Sequence, residues 1–95
     1  MVSVPSNEWF AYTVNCVVAN NPYEILFVNP RNGKKFETTV ISLQVAGNAI
    51  QYTFQPSGEW VTVAANIIRD LLAKSSDRIW IRSATAGATV QVIAW

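Results

Sequence analysis

An antiparallel β-sandwich or small barrel of about seven strands, with one short amphipathic helix at about residues 64–74, is the fold class that the sequence predicts. Three observations carry it. Apolar and polar residues alternate along most of the chain, which is the periodicity of strands covered on one face. Clusters of Gly, Pro and Asn interrupt these runs at close spacing, where turns belong. One segment alone switches to the 3.6-residue period of a helix.

In "WFAYTVNCVVAN", Phe10, Tyr12, Val14, Cys16 and Val18 share one face of a long strand, and Trp9, Ala11, Thr13, Asn15 and Val17 share the other. Asn-Asn-Pro turns it. "YEILFVN" alternates less cleanly and suits a strand covered on both sides, and "PRNGKK" closes it. "FETTVISLQV" is rich in β-branched residues and ends at Gly47-Asn48. In "AIQYTF", Ile50, Tyr52 and Phe54 are expected to face the core and Gln51, Thr53 and Gln55 to face water or a neighbour. "PSGE" turns into "WVTV". In "AANIIRDLLAK", Ala64, Ile67, Ile68, Leu71 and Leu72 fall on one stripe, so a helix of two to three turns is expected there, docked on the sheets because it is too short to stand alone. The tail "DRIWIRSATAGATVQVIAW" reads as a final hairpin around "ATAGA", with Val90, Val92 and Ala94 on the core face and Gln91, Ile93 and Trp95 on the other.

A chain of 95 residues is expected to form a single domain over residues 1–95, one that buries roughly 60–65% of its unfolded surface. Its composition is 51% hydrophobic, 12% aromatic and 14% charged, against about 25% charged in an ordinary globular domain. So sparse a supply of charge fits a surface that is partly covered in the working state. The net charge is +1, spread along the chain, which argues against nucleic acid as a partner. The densest basic cluster, "RNGKK", reads as a solvated loop tip. Cys16 is the one cysteine and lies in an apolar run, where a buried inert thiol is expected. The opening "MVSVPSNEW" lacks the basic and apolar regions of a signal peptide, and no run approaches the roughly 20 apolar residues of a membrane helix.

Chemistry finds little to work with. With no histidine and one cysteine, the usual zinc ligand sets cannot be assembled, and no histidine is present to activate a serine. No glycine-rich phosphate loop is present, and no cofactor is expected. Glu8, Glu24, Glu37, Glu59, Asp70 and Asp77 are each isolated in sequence, although two could meet in space as an acid/base pair. The expectation is a protein that is not an enzyme. Its aromatic residues suit either a sugar-stacking platform or an interface.

The C-terminal half carries a resemblance. "IQYTF" (Ile50 to Phe54), a turn, "WVTV" (Trp60 to Val63), "RIWIRS" (Arg78 to Ser83) and the closing strand Thr89 to Trp95 together resemble the small accessory structural proteins of tailed bacteriophages. That resemblance implies a non-enzymatic virion structural protein made in the host bacterial cytoplasm. It implies in particular a capsid decoration or cement protein that binds the major capsid protein as a homo-oligomer. A neck, tail or baseplate component would look the same, and a carbohydrate-binding or adhesin-like β-sandwich is the alternative. The expected interface residues are Trp95, Ile93, Trp80, Trp9 and Trp60, with no metal, nucleic acid or membrane involved.

Overall fold

The computed structural model describes residues 9–29, 32–72 and 75–95. The opening "MVSVPSNE", Arg31 of the basic cluster and the last two residues of the expected helix lie outside them. Eight strands run through the described residues: β1 (Phe10–Cys16), β2 (Tyr23–Leu26), β3 (Val40–Ala46), β4 (Ile50–Thr53), β5 (Val61–Val63), β6 (Ile68–Leu72), β7 (Arg78–Arg82) and β8 (Ala88–Ala94). They form two antiparallel sheets, ordered β1-β8-β3-β6 and β2-β7-β4-β5. The pairs β1·β8, β2·β7, β3·β6 and β4·β5 are those of one long hairpin with its tip between β4 and β5. Wrapping that hairpin over itself adds β3·β8 and β4·β7. The result is the strand order of a jelly roll. No barrel is closed, because β1, β6, β2 and β5 remain edges.

Alternation along each strand builds the core between the sheets. Val14, Cys16, Ile41, Leu43, Val45, Val90, Val92 and Ala94 face inward from the first sheet, and Ile25, Ile50, Tyr52, Val63, Ile79 and Ile81 from the second. Phe27 and Phe36 close one end, where Phe27 N–H donates to the Asp77 carbonyl at 3.0 Å and Phe36 N–H to the Phe27 carbonyl at 3.1 Å. The inward faces expected for β4 and β8 are the faces found. Thr53 is the exception within β4. It is buried rather than facing water, because its hydroxyl sits in the following turn, 2.9 Å from the Glu59 carbonyl and 3.0 Å from that of Gln55.

The expected helix is absent, and its place explains the eighth strand. Residues 65–66 turn, with Asn66 at φ 63°, and Ile68–Leu72 pair with β3 from Val40↔Leu72 to Gln44↔Ile68. The doublets Ile67-Ile68 and Leu71-Leu72 fit a helical stripe and a strand equally well. Pairing with β3 satisfies the backbone at once, whereas a short helix gains nothing until it docks. In place of a buried stripe, Leu71 alone packs on the core; Ile67, Ile68 and Leu72 are exposed.

The tail is not a hairpin either. β7 lies in the second sheet and β8 in the first, so Ser83–Gly87 arches between sheets, which places Ile79 and Ile81 opposite Val90 and Val92 across the core. A second arch, Gly47–Ala49, crosses at the same end. The two touch: Ser83 Oγ donates to the Ala49 carbonyl at 2.8 Å, and a Cβ on Gly47 (φ 88°) would come within 3.1 Å of the Gly87 carbonyl oxygen. Glycine is needed there both for the left-handed backbone and for the approach.

Candidate functional site

The outer face of the first sheet is built from the alternate residues that do not enter the core. β1 supplies Ala11, Thr13 and Asn15; β8 supplies Thr89, Gln91 and Ile93; β3 supplies Val40, Ser42, Gln44 and Ala46; β6 supplies Ile68, Asp70 and Leu72. Trp95 extends this face past the end of β8. Its N–H donates to the Val40 carbonyl at 3.0 Å and its own carbonyl accepts from Val40 N–H at 3.0 Å and from Thr39 N–H at 2.6 Å. Continuing the β1·β8 register by one residue places Trp9 opposite Trp95. The last row of the sheet therefore reads Trp9, Trp95, Val40, Leu72 across four strands. Trp9 is 47% exposed, Trp95 49% and Leu72 74%. Ile68, 66% exposed, lies on the same face at the far end of β6, opposite Gln44 and beyond Asp70. Asp70 is the one charged side chain among the described residues of this face. Isolated exposed apolar residues are ordinary, whereas a contiguous row with so little charge is the composition that contact surfaces have.

The outer face of the second sheet has the opposite character. Arg78 Nε donates to Asp77 Oδ1 at 3.2 Å, and Arg78 Nη1 to Glu24 Oε2 at 3.3 Å. The bond from the Arg78 guanidinium holds the Asp77 carboxyl below its ordinary pKa, and the same pairing raises that of Arg78. The Arg82 guanidinium lies over the Trp60 ring, 4.0 Å from its centroid, and Arg82 Nε donates to Gln51 Oε1 at 2.9 Å. Arg78 stands more loosely over Trp80, at 6.0 Å. Both rings are half-buried. Such stacking, worth about 0.5–1 kcal/mol at an exposed site, covers one face of the Trp60 ring.

The five expected interface residues are thus divided. Trp9, Ile93 and Trp95 lie together on the first sheet, and Trp60 and Trp80 lie on the opposite side of the molecule. Trp80 and Trp95, although on consecutive strands, are separated because β7 and β8 belong to different sheets. Among the described residues, no three His, Cys, Asp or Glu side chains gather closely enough to hold a metal ion. Cys16 is fully buried, and that burial raises its thiol pKa. Comparison with protein-family models, with curated proteins and with solved structures finds no match to this chain.

Two members of the apolar row, Val40 and Leu72, escape sequence reasoning. Val40 stands in a run that reads as ordinary strand, and Leu72 is assigned to the inward stripe of a helix. Reading "IRDLL" with period two would have set Ile68, Asp70 and Leu72 on one face and Leu71 on the other.

Proposed function

We propose that the chain is a non-catalytic assembly protein that docks through the outer face of its first sheet, and specifically an accessory component of a bacteriophage virion that adheres to the capsid lattice. The row Trp9–Trp95–Val40–Leu72 carries the proposal. Aromatic anchors surrounded by uncharged neighbours are the composition of the buried centre of a protein interface, where charged residues are depleted. The polar remainder of the face, Thr13, Gln44, Thr89 and Gln91, can hydrogen-bond without the desolvation cost of an ion. The virion assignment draws on the resemblance of the C-terminal half to phage accessory proteins, and the jelly roll, a strand order that capsid proteins share with lectins and cupins, is compatible with it.

Carbohydrate binding is supported less well, since Arg82 already stacks on the Trp60 ring and the two sheets set Trp60 and Trp80 on the opposite side from Trp9 and Trp95, which divides the rings that a platform would need.

The test uses gradient-purified particles of the phage that encodes the chain. The chain is expected in those particles by mass spectrometry, at a copy number on the scale of the capsid lattice. Particles grown with Trp95→Ala together with Trp9→Ala are expected to lose it while the variant remains folded in the lysate. A chain absent from purified particles overturns the virion reading, and one retained by the double variant overturns the docking face.

A further inference from the structure

We infer that β1 pairs edge to edge with β1 of a second copy, across a twofold axis through Thr13, so that two first sheets join into one continuous sheet. An unpaired strand edge invites association, and proteins defend such edges with charge, proline or brevity. Three of the four edges carry one of these devices. β5 has three residues. β2 has four, follows Pro22 and includes Glu24. β6 places Arg69 and Asp70 in its centre, with Arg69 opposite buried Leu43 and so on the core-facing side of the sheet. β1 has none: it is seven residues long, and the chain from Trp9 to Asn21 contains no charge.

The backbone is set for self-pairing. The Cys16 carbonyl accepts from Gly87 N–H at 2.9 Å, on the β8 side. By strand alternation the N–H and C=O groups of Ala11 and Thr13 then point away from β8, as the Asn15 carbonyl does where it accepts from Val17 N–H at 2.9 Å. Antiparallel pairing centred on Thr13 sets Thr13 against Thr13 of the second copy and Ala11 against Asn15, joining those outward groups in reciprocal bonds. The same register places Tyr12 against Val14 of the second copy. Tyr12 is on the core-facing side of β1 yet 56% exposed, and it borders an open groove of about 320 Å³ between β1 and β2. A neutral strand offers no handle to a charged partner, and this one is complementary to itself, so a second copy is the occupant.

The axis runs perpendicular to the sheet. It therefore turns both Trp9–Trp95 rows to the same side, a consequence that rests on the docking reading, whereas the edge pairing does not.

The purified full chain is expected to show twice its 10.5 kDa mass by light scattering. Thr13→Cys tests the register, because residues opposite each other in a hydrogen-bonded pair have Cα atoms about 5.5 Å apart, within the range a disulfide spans. Mild oxidation should link two Thr13→Cys chains through the introduced thiols. Ala11→Cys alone should not link, while a mixture of Ala11→Cys with Asn15→Cys should. Tyr12→Lys sets a charge on the edge, and Thr13→Pro removes an edge-facing N–H that β8 does not use; both are expected to be monomers whose circular dichroism matches the parent. A monomeric parent, a dimer that survives both substitutions in folded form, or a dimer in which Thr13→Cys fails to link each overturns the inference. None of these readings depends on particle binding.

Discussion

Trp95 and Val40 exchange both of their backbone hydrogen bonds, each at 3.0 Å, so Trp95 is laddered to β3 while the residue stays half exposed. Anchorage and exposure are thereby separated: the backbone is fixed by β3, and the indole is left on the outer face.

Trp95→Ala should therefore leave the fold intact. The backbone bonds persist and only the buried part of the ring is lost, so the expected cost is about 1 kcal/mol, a fall of roughly 4–8 °C in Tm for a domain of this size. Removing both Ala94 and Trp95 is different, since Ala94 is fully buried and pairs with Phe10 on one side and Ile41 on the other. That truncation should lower Tm far more than Trp95→Ala does. Calorimetry on the two proteins decides, and equal melting points would mean that the Val40 ladder does not hold the terminus.

Leu43 and Leu71 differ in the same way across β3 and β6. Leu43 is fully buried, and Leu43→Ala should cost about 2–5 kcal/mol, as core truncations do. Leu71 sits on an edge strand and is only partly covered, so Leu71→Ala should cost about 1 kcal/mol for the area lost. Chemical denaturation of both variants measures the gap. Equal costs would return Leu71 to the core, where a docked helix would have put it.

Residues 64–74 show where the sequence is legible and where it is not. The split of β8 into Val90, Val92 and Ala94 against Gln91, Ile93 and Trp95 can be read directly, since period two allows no other division of that run. "NIIRDLL" permits both periods, and its state is decided by β3, a partner more than twenty residues away that no local pattern names. Strand order is hidden for the same reason: Tyr52 pairs with Ile81, and nothing in either neighbourhood points to the other. The candidate face was half legible. Trp9, Ile93 and Trp95 share a parity, but separating them from Trp60 and Trp80 requires knowing that β7 and β8 lie in different sheets.

Asp77 should titrate below an ordinary aspartate. Its folded pKa is depressed by Arg78, so its contribution to stability is present above the unfolded carboxylate pKa and is lost as pH falls through the folded value. Because the pair is exposed, the effect on stability is small, and the carboxyl chemical shift is the better observable. Arg78→Gln should move the Asp77 midpoint up toward that of a free side chain. An unchanged midpoint would assign the depression to another neighbour.

The Cys16 thiol should be inert in the native protein. Burial raises its pKa, so folding is favoured at pH values below the unfolded thiol pKa and the contribution fades as pH rises through the folded value. A thiol reagent should label Cys16 at the rate of unfolding or local opening, and at the full chemical rate in denaturant. Rapid labelling without denaturant would contradict the burial of Cys16 in the core between the sheets.

The long wrapped hairpin also dictates when the chain can fold. Phe10 must wait for Ala94, and at a synthesis rate of about 5–20 residues per second β1 spends several seconds on or near the ribosome before its partner exists. Among the strands only β4 and β5 are neighbours in both sequence and space, so the Ile50–Val63 hairpin, together with the local Val28–Lys35 bridge, can form early. Chains dominated by such distant pairings fold in about milliseconds to seconds. For that interval an uncharged strand, Phe10–Cys16, is exposed to every other nascent copy. Yield in a cell should accordingly respond to growth temperature and to chaperone supply more steeply than the stability of the finished protein would suggest.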